Sequence, residues 1–325
     1  MTTRRLAVAL TPMETRRDVI VETALLAERL GYEVFSLAEG WGYDSTLLLT
    51  EIAMRTERIK LLPGVLSVWS RSPATLAMGA STLHEISGGR SILGLGTSSR
   101  ALTEGLHDLE FTGWTSKLRE VTTAVRTMLD GGRAPIDDSR TARALKLGLS
   151  PKPDLPIWIA ASGKTAIEAT ADLADGWYPL FLTRERLRKT AAEINARRGD
   201  RAPITVVAGP FAVADPDPVV ARNIAASCLA WYICAMGDGY ARLIAGQGFS
   251  AEVDAIRVAN PRPSPTHSVV PPEARSALDA LTAYGTPTEL KAQLDGWSTD
   301  ADILGIVLPA GIPWETIEAT LTAAV

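Results

Sequence analysis

Short apolar runs alternate along the chain with longer stretches of helical period. The runs are Leu6–Leu10, Val34–Leu37, Ile59–Leu62, Ser91–Leu95, Ile157–Ala160, Gly176–Leu180, Ile204–Ala208 and Ile303–Leu308. Strands buried on both faces read as continuous apolar runs of this length, and parallel strands are buried that way. Between the early runs, apolar positions recur at helical spacing: Val19, Ala24, Ala27 and Leu30, then Leu48, Ile52 and Ala53, then Leu76, Met78, Ala80, Leu83 and Ile86. Later helices are predicted over Leu118–Leu129, Thr165–Leu173, Arg184–Arg198 and Trp314–Ala324. Glycines at Gly31, Gly88-Gly89 and Gly131-Gly132 supply helix stops. Strands alternating with helices in this way predict an α/β fold, a (β/α)8 barrel. A doubly wound sheet competes, but it places a glycine-rich turn after its first strand. Here that strand runs into Thr11-Pro12-Met13-Glu14.

Two stretches, about 96–156 and 215–287, are too long for simple connections, and the second reads as mostly helical with a breaker at Asn260–Pro265. Both follow the C-terminal ends of strands, where barrel enzymes build their sites, and loops of this length serve as lids or walls. The expectation is a single barrel domain over 1–325 carrying two helical insertions.

Apolar residues make up 46% of the 325 and charged residues 22%, which excludes disorder as the main state. A net charge of −4 gives no basic excess for nucleic-acid backbones. Cys228 and Cys234 match no zinc or disulfide spacing, and His84, His107 and His267 are scattered. The start Met-Thr-Thr-Arg-Arg leads into only five apolar residues, and no uncharged apolar run approaches ~20. These features predict a cytoplasmic, metal-free protein that acts on a small molecule, without membrane or nucleic acid.

The predicted strand ends carry the candidate chemistry. Glu39 and Trp41 follow the second strand, and Glu14 the first; carboxylates there stand at the barrel mouth, with a strand-end ion pair as the competing reading. Glu14, Glu39 and Glu104 are candidates by position only, and His107 suits a surface helix position as well as a catalytic one. Gly64 follows the third strand as a tight bend, and Gly94-Leu95-Gly96-Thr97-Ser98-Ser99 forms a small-residue lip after the fourth. In Ala161-Ser162-Gly163-Lys164-Thr165 the tail Gly163-Lys164-Thr165 resembles the end of a P-loop, but that motif needs a glycine where Trp158 stands. What remains is a helix N-terminus with hydroxyls and a lysine, suited to one phosphate, against Ser162 as a plain N-cap. Trp41, Trp69, Trp177 and Trp231 fall near predicted mouth or lid regions and could wall a planar ligand.

Several segments resemble the luciferase-like superfamily, which includes FMN-dependent monooxygenases and reductases or dehydrogenases using the deazaflavin coenzyme F420. They are Ala27–Tyr32 leading to Ala38-Glu39, Ser70–Pro73, Thr82–Arg90 with its Ser-Gly-Gly-Arg, Leu93–Gly96, Pro156–Gly163, Ala174–Gly176 and Gly285–Pro287. Pro63-Gly64-Val65 is similar to the methylene-tetrahydromethanopterin reductase branch. The resemblance implies a (β/α)8 barrel, and a cis Gly64-Val65 peptide behind the cofactor ring. It further implies a phosphate site at Ala161–Thr165, Thr97 and Ser98 along the ring or its side chain, and Thr183 near the phosphate or tail. Relatives are commonly dimers, so a homodimer is expected. Many relatives carry Glu-His after the second strand, where this chain has Glu39-Gly40; bacterial luciferase has a phosphate-binding arginine at the position of Thr97. The resulting expectation is hydride transfer between coenzyme F420 and a small substrate bearing a C=N or C=C bond. Glu39 first and Glu14 second would handle the proton, and Trp41 would wall the substrate. The segments Ala101–Trp114 and Ala226–Pro272 would choose the substrate. The alternatives are an FMN-dependent monooxygenase served by a flavin reductase, and a non-catalytic flavin-binding barrel.

Overall fold

The structure is a computed structural model that describes residues 4–325; Met1–Thr3, part of the N-terminal leader reading, lie outside it. Its strands are β1 (Leu6–Leu10), β2 (Val34–Leu37), β3 (Lys60–Pro63), β4 (Leu66–Ser67), β5 (Leu93–Gly96), β6 (Ile157–Ala160), β7 (Gly176–Trp177), β8 (Thr205–Ala208), β9 (Phe211–Ala214), β10 (Thr282–Gly285) and β11 (Ile303–Leu308). All pairings are parallel, in the order β3-β2-β1-β11-β8-β7-β6-β5-β4. The ends of that path, β3 and β4, are two halves of one stave interrupted at Gly64-Val65. A parallel bridge from Leu61 to Ser91 closes the circle beside them. The fold is an α/β barrel.

Each apolar run read as a strand contributes to a stave. The sixth is shorter than its run because Pro179 has no N–H to pair and Phe181 turns the chain at φ 56°. The three unpredicted strands are short. β4 completes the interrupted third stave, and β9 continues the seventh after Gly209-Pro210, keeping the same register on β11: Leu304 faces Ala208 and Val307 faces Phe211. β10 then pairs with the outer half of that stave.

Helices pack outside the staves, and the main apolar core lies between the two layers. Sequence signals set several helix starts. Ser72 caps Pro73–Ile86, Asp217 caps Pro218–Ala235, and Thr286 with Glu289 forms a capping box on Pro287–Trp297. Within 215–287 the helices Pro218–Ala235, Asp238–Ile244, Ser250–Ala259 and Arg275–Leu281 cover a second core built on Phe181, Phe211 and Tyr232. Among the described residues Pro218–Ala235 is the one helix long and apolar enough to cross a membrane by composition, and half of it is buried in this core.

The Ser-Gly-Gly-Arg block is structural. Gly88 and Gly89 have φ of 66° and 90°, ending the helix, and Arg90 then fans its guanidinium over several acceptors. Nε donates to Ser87 O (2.7 Å), Nη1 to Ile59 O (2.7 Å) and Thr56 Oγ1 (3.1 Å), and Nη2 to Thr56 O (2.8 Å) and Ala53 O (3.0 Å). One side chain thus satisfies carbonyls where two helices and a loop end at the base of the barrel.

Candidate active site

Side chains alternate in and out along each stave. The innermost layer is closed by Ala7, Val34, Leu62, Ile92, Trp158, Val207 and Ile303, packed against one another. The next inward positions toward the C-terminal ends are Ala9, Ser36, Gly64, Gly94, Ala160, Tyr178, Gly209 and Gly305. Only Tyr178 is large. Gly64, Ala160, Tyr178 and Gly209 are half-buried rather than buried, as are Val65, Leu180 and Val307 around them, so solvent reaches an open pit at this level.

The glycines are required by close approach. A Cβ on Gly64 would lie 2.0 Å from Ser36 Oγ and 3.2 Å from Tyr178 Cε1; on Gly94 it would meet Pro63 O at 2.1 Å, and on Gly96 Val65 Cγ2 at 2.6 Å. The Gly64–Val65 peptide is cis, and Val65 stands half-exposed beside the pit. A flat ring thus finds a wall of backbone and one branched side chain.

At the neighbouring strand end the helix Lys164–Leu173 begins on Gly163, which offers no side-chain cap. Ser162 is therefore not its N-cap. Ser162, Gly163, Lys164 and Thr165 are exposed, Ala161 is buried, and Thr165 Oγ1 lies 2.9 Å from Thr115 Oγ1. A groove of about 440 Å³ adjoins this terminus, lined by Ser162, Lys164, Arg186 and Arg197 among others. Glu168 and Glu193 also line the groove and Arg197 is paired with Asp172 (2.7 Å), so this terminus offers its uncapped N–H groups beside Lys164 and Arg186. Thr97 and Ser98 are half-buried on the lip, Ser98 with φ 59°; Thr97 O accepts from Trp69 Nε1 at 3.0 Å. Thr183 Oγ1 accepts from Arg186 N (3.2 Å) as the cap of Arg184–Arg198.

The two predicted acids are committed elsewhere. Glu39 takes both Arg71 Nη groups, the Nη2 contact at 2.9 Å, and accepts from Ser45 N (3.0 Å) and Ser45 Oγ (3.1 Å). Arg71 also donates to Asp44 at 2.7 Å. This is the strand-end ion pair that competed with the catalytic reading. Glu14 is buried and accepts from Arg16 N, Nε and Nη2 (2.9, 2.9 and 2.6 Å) and from Gly311 N (3.0 Å). It clips the loop after β1 to the loop after β11. Trp41 is 48% exposed. At Gly40 a Cβ would meet Pro12 Cβ at 2.6 Å, so the proline fills the space a histidine would need.

Of the other candidates, Trp177 is fully buried and donates to Ala161 O (2.9 Å), and Trp231 lies in the lid helix with its indole nitrogen buried and unpartnered. Glu104 pairs with Arg100 and His107 is exposed. Sequence reasoning missed Tyr178, Ser36, Arg71 and Gln247. Gln247, in the π-helical turn Ala245–Phe249, accepts from Thr183 N (2.8 Å) and donates to Phe181 O (2.9 Å), tying the lid to the loop after β7. Only a polar residue interrupting an apolar run, as Ser36 does, could have signalled part of this.

Burial pushes the Glu14 carboxyl up, but the hydrogen bonds from Arg16 and Gly311 outweigh it and hold its pKa below the ordinary 4.5. A depressed carboxylate contributes stability that is present above its unfolded pKa and lost as pH falls through its folded value. The denaturant midpoint is expected to fall as pH drops below 4.5. In Glu14→Gln that decline should be shallower; equal slopes in both proteins would show that Glu14 contributes nothing to it.

Comparison with known proteins places this barrel among oxidoreductases. The luciferase-like monooxygenase family model matches residues 1–301, and the chain belongs to that family. It is 28% identical over 317 residues (89% of this chain and 90% of the relative) to the putative coenzyme F420-dependent oxidoreductase Rv3520c of Mycobacterium tuberculosis. It is 32% identical over 153 residues (43% of this chain, 46% of the relative) to the 5,10-methylenetetrahydromethanopterin reductase of Archaeoglobus fulgidus. The coenzyme F420-dependent tetrahydromethanopterin reductase of Methanopyrus kandleri has the same fold, with a TM-score of 0.78 and 20% identity over 98% of this chain and 97% of that one.

Proposed function

We propose that the chain transfers a hydride between coenzyme F420 and a small organic substrate, with a C=N or C=C bond as the reacting group. The observation that carries this reading is the pit, where Gly64 and Gly94 let the Gly64-Val65 segment pack directly on Ser36 and Pro63, and Gly64, Val65, Ala160 and Gly209 are left half-buried around it. The resemblance to an F420-dependent oxidoreductase along nearly the whole chain supports the same choice. The deazaflavin would supply the hydride when bound. Gly64-Val65 would back its ring, the N–H groups of Lys164 and Thr165 with the Lys164 ammonium would hold its phosphate, and the helices of 215–287 would exclude water. Thr97 and Ser98 would line the ring or its side chain, and Trp41 would wall the substrate. With Glu39 and Glu14 in ion pairs, their part here is to hold the mouth loops. Glu39→Gln is expected to leave cofactor affinity within twofold and to loosen the Arg71 loop, read as faster proteolysis there. A homodimer and a cytoplasmic location belong to the same reading.

The test is an equilibrium titration with coenzyme F420 and, separately, with FMN, followed by tryptophan and cofactor fluorescence. Micromolar or tighter affinity for F420, about −8 kcal/mol, with weaker FMN binding is expected. Preference for FMN would instead favour a two-component monooxygenase fed by a flavin reductase. Lys164→Ala should weaken F420 roughly tenfold while leaving its phosphate-free ring compound unaffected. Equal weakening of both compounds would remove the phosphate from this helix end.

A further inference from the structure

We propose that Tyr178, braced by Ser36, is a ring-contacting residue: the two hydroxyls form the polar floor of the pit and hydrogen-bond the innermost edge of a bound ring. This selects a ring whose buried edge carries carbonyl and N–H groups, and it rests on the cofactor reading above.

Tyr178 is the one large side chain in a layer otherwise made of Gly, Ala and Ser. It leaves the sixth stave and crosses the barrel to the second, where Tyr178 Oη donates to Ser36 Oγ at 3.1 Å. Its ring also leans on Trp158, centroids 6.5 Å apart and planes at 39°. A phenylalanine would fill the same volume, so packing alone does not account for the hydroxyl. Ser36 is 1% exposed in an otherwise apolar strand, Val-Phe-Ser-Leu, and its Oγ makes no other hydrogen bond among the described residues. The serine proton thus lacks an acceptor, and a buried polar group normally finds one. Tyr178 is half-buried, beside the half-buried Gly64, Ala160 and Gly209.

The wall and the floor are adjacent. A Cβ on Gly64 would touch both Ser36 Oγ and the Tyr178 ring, so any ring laid against Gly64-Val65 arrives within reach of the hydroxyl pair. Burial pushes the phenol up to about 12, which keeps it a neutral donor. An edge of plain C–H groups would leave the serine proton unmet. A carbonyl beside an N–H answers both hydroxyls, one as acceptor and the other as donor.

Tyr178→Phe and Ser36→Ala, each with its thermal midpoint checked, would be titrated with F420 and with FMN. Roughly five- to tenfold weaker binding of both cofactors is expected in Tyr178→Phe, the worth of one neutral hydrogen bond. The absorption shift of the bound ring should shrink, and the Lys164→Ala effect should remain additive on top. Ser36→Ala removes only a small side chain, and it should weaken binding in the same direction if Tyr178→Phe folds poorly. Binding within twofold of wild type and an unchanged spectrum in both variants would overturn the proposal. So would weaker binding matched by lower melting with no spectral change, which is a packing defect. A wild-type chain that binds neither cofactor would instead remove the proposed function, and this floor contact with it, before any variant is compared.

Discussion

Gly64→Ala is expected to abolish detectable cofactor binding, a loss of more than a hundredfold, and to lower stability by ~1–3 kcal/mol. The added methyl would sit 2.0 Å from Ser36 Oγ, far inside contact distance, and 3.2 Å from the Tyr178 ring. Neither neighbour can withdraw easily. Ser36 is in the middle of β2 and buried, and Tyr178 is held by Ser36 and Trp158. The strain must therefore move the Gly64-Val65 segment into the pit, where the ring would lie. Fluorescence titration together with a thermal melt checks this. Affinity within threefold of wild type would mean that the ring does not lie on this wall.

Arg90→Ala should be the most destabilising change at the base of the barrel, costing ~3 kcal/mol or more in chemical denaturation. Five acceptors lose their donor at once: the carbonyls of Ala53, Thr56, Ile59 and Ser87, and Thr56 Oγ1. A hydrogen bond to a charged group contributes about 1.5–3 kcal/mol, and water entering the vacated space would replace part of that. Arg90→Lys should recover little, because an ammonium cannot spread over carbonyls on both sides of a planar fork. The pit lies at the opposite end of the staves, so the folded fraction should bind cofactor with unchanged affinity. A stability loss below ~1 kcal/mol would show that the motif is not a staple.

The staves were legible because a strand buried on two faces must be apolar throughout, and the runs from Leu6–Leu10 to Ile303–Leu308 obey that. Several helix stops were legible because termination is local chemistry: Gly31, Gly88 and Gly131 take positive φ just past the helices they end, whereas the N-caps Ser72, Asp217 and Thr286 came only with the structure. The uncapped start of Lys164–Leu173 was visible for the same reason, as a hydroxyl, a glycine and a lysine with no matching P-loop glycine. β4 and β9 escaped because each is a short continuation of a neighbouring stave, and β10 because its partner is β9.

The roles of the charged residues could not be read in this way. Glu39 and Glu14 stand at strand ends, where sequence position alone suits a proton carrier; whether Glu39 is free depends on Arg71, 32 residues away, and although Glu14 pairs with the nearby Arg16, its further bond comes from Gly311, 297 residues away. The pit was equally hidden, since Ser36, Gly64 and Tyr178 come from three separate staves. The sequence by itself determined the barrel, several helix stops and the free helix N-terminus at Lys164, because those follow from burial pattern and local hydrogen bonding. Only the tertiary structure decided which acids are neutralised, which hydroxyls face the pit and why position 40 is a glycine, because those depend on which strand ends closure of the barrel makes neighbours.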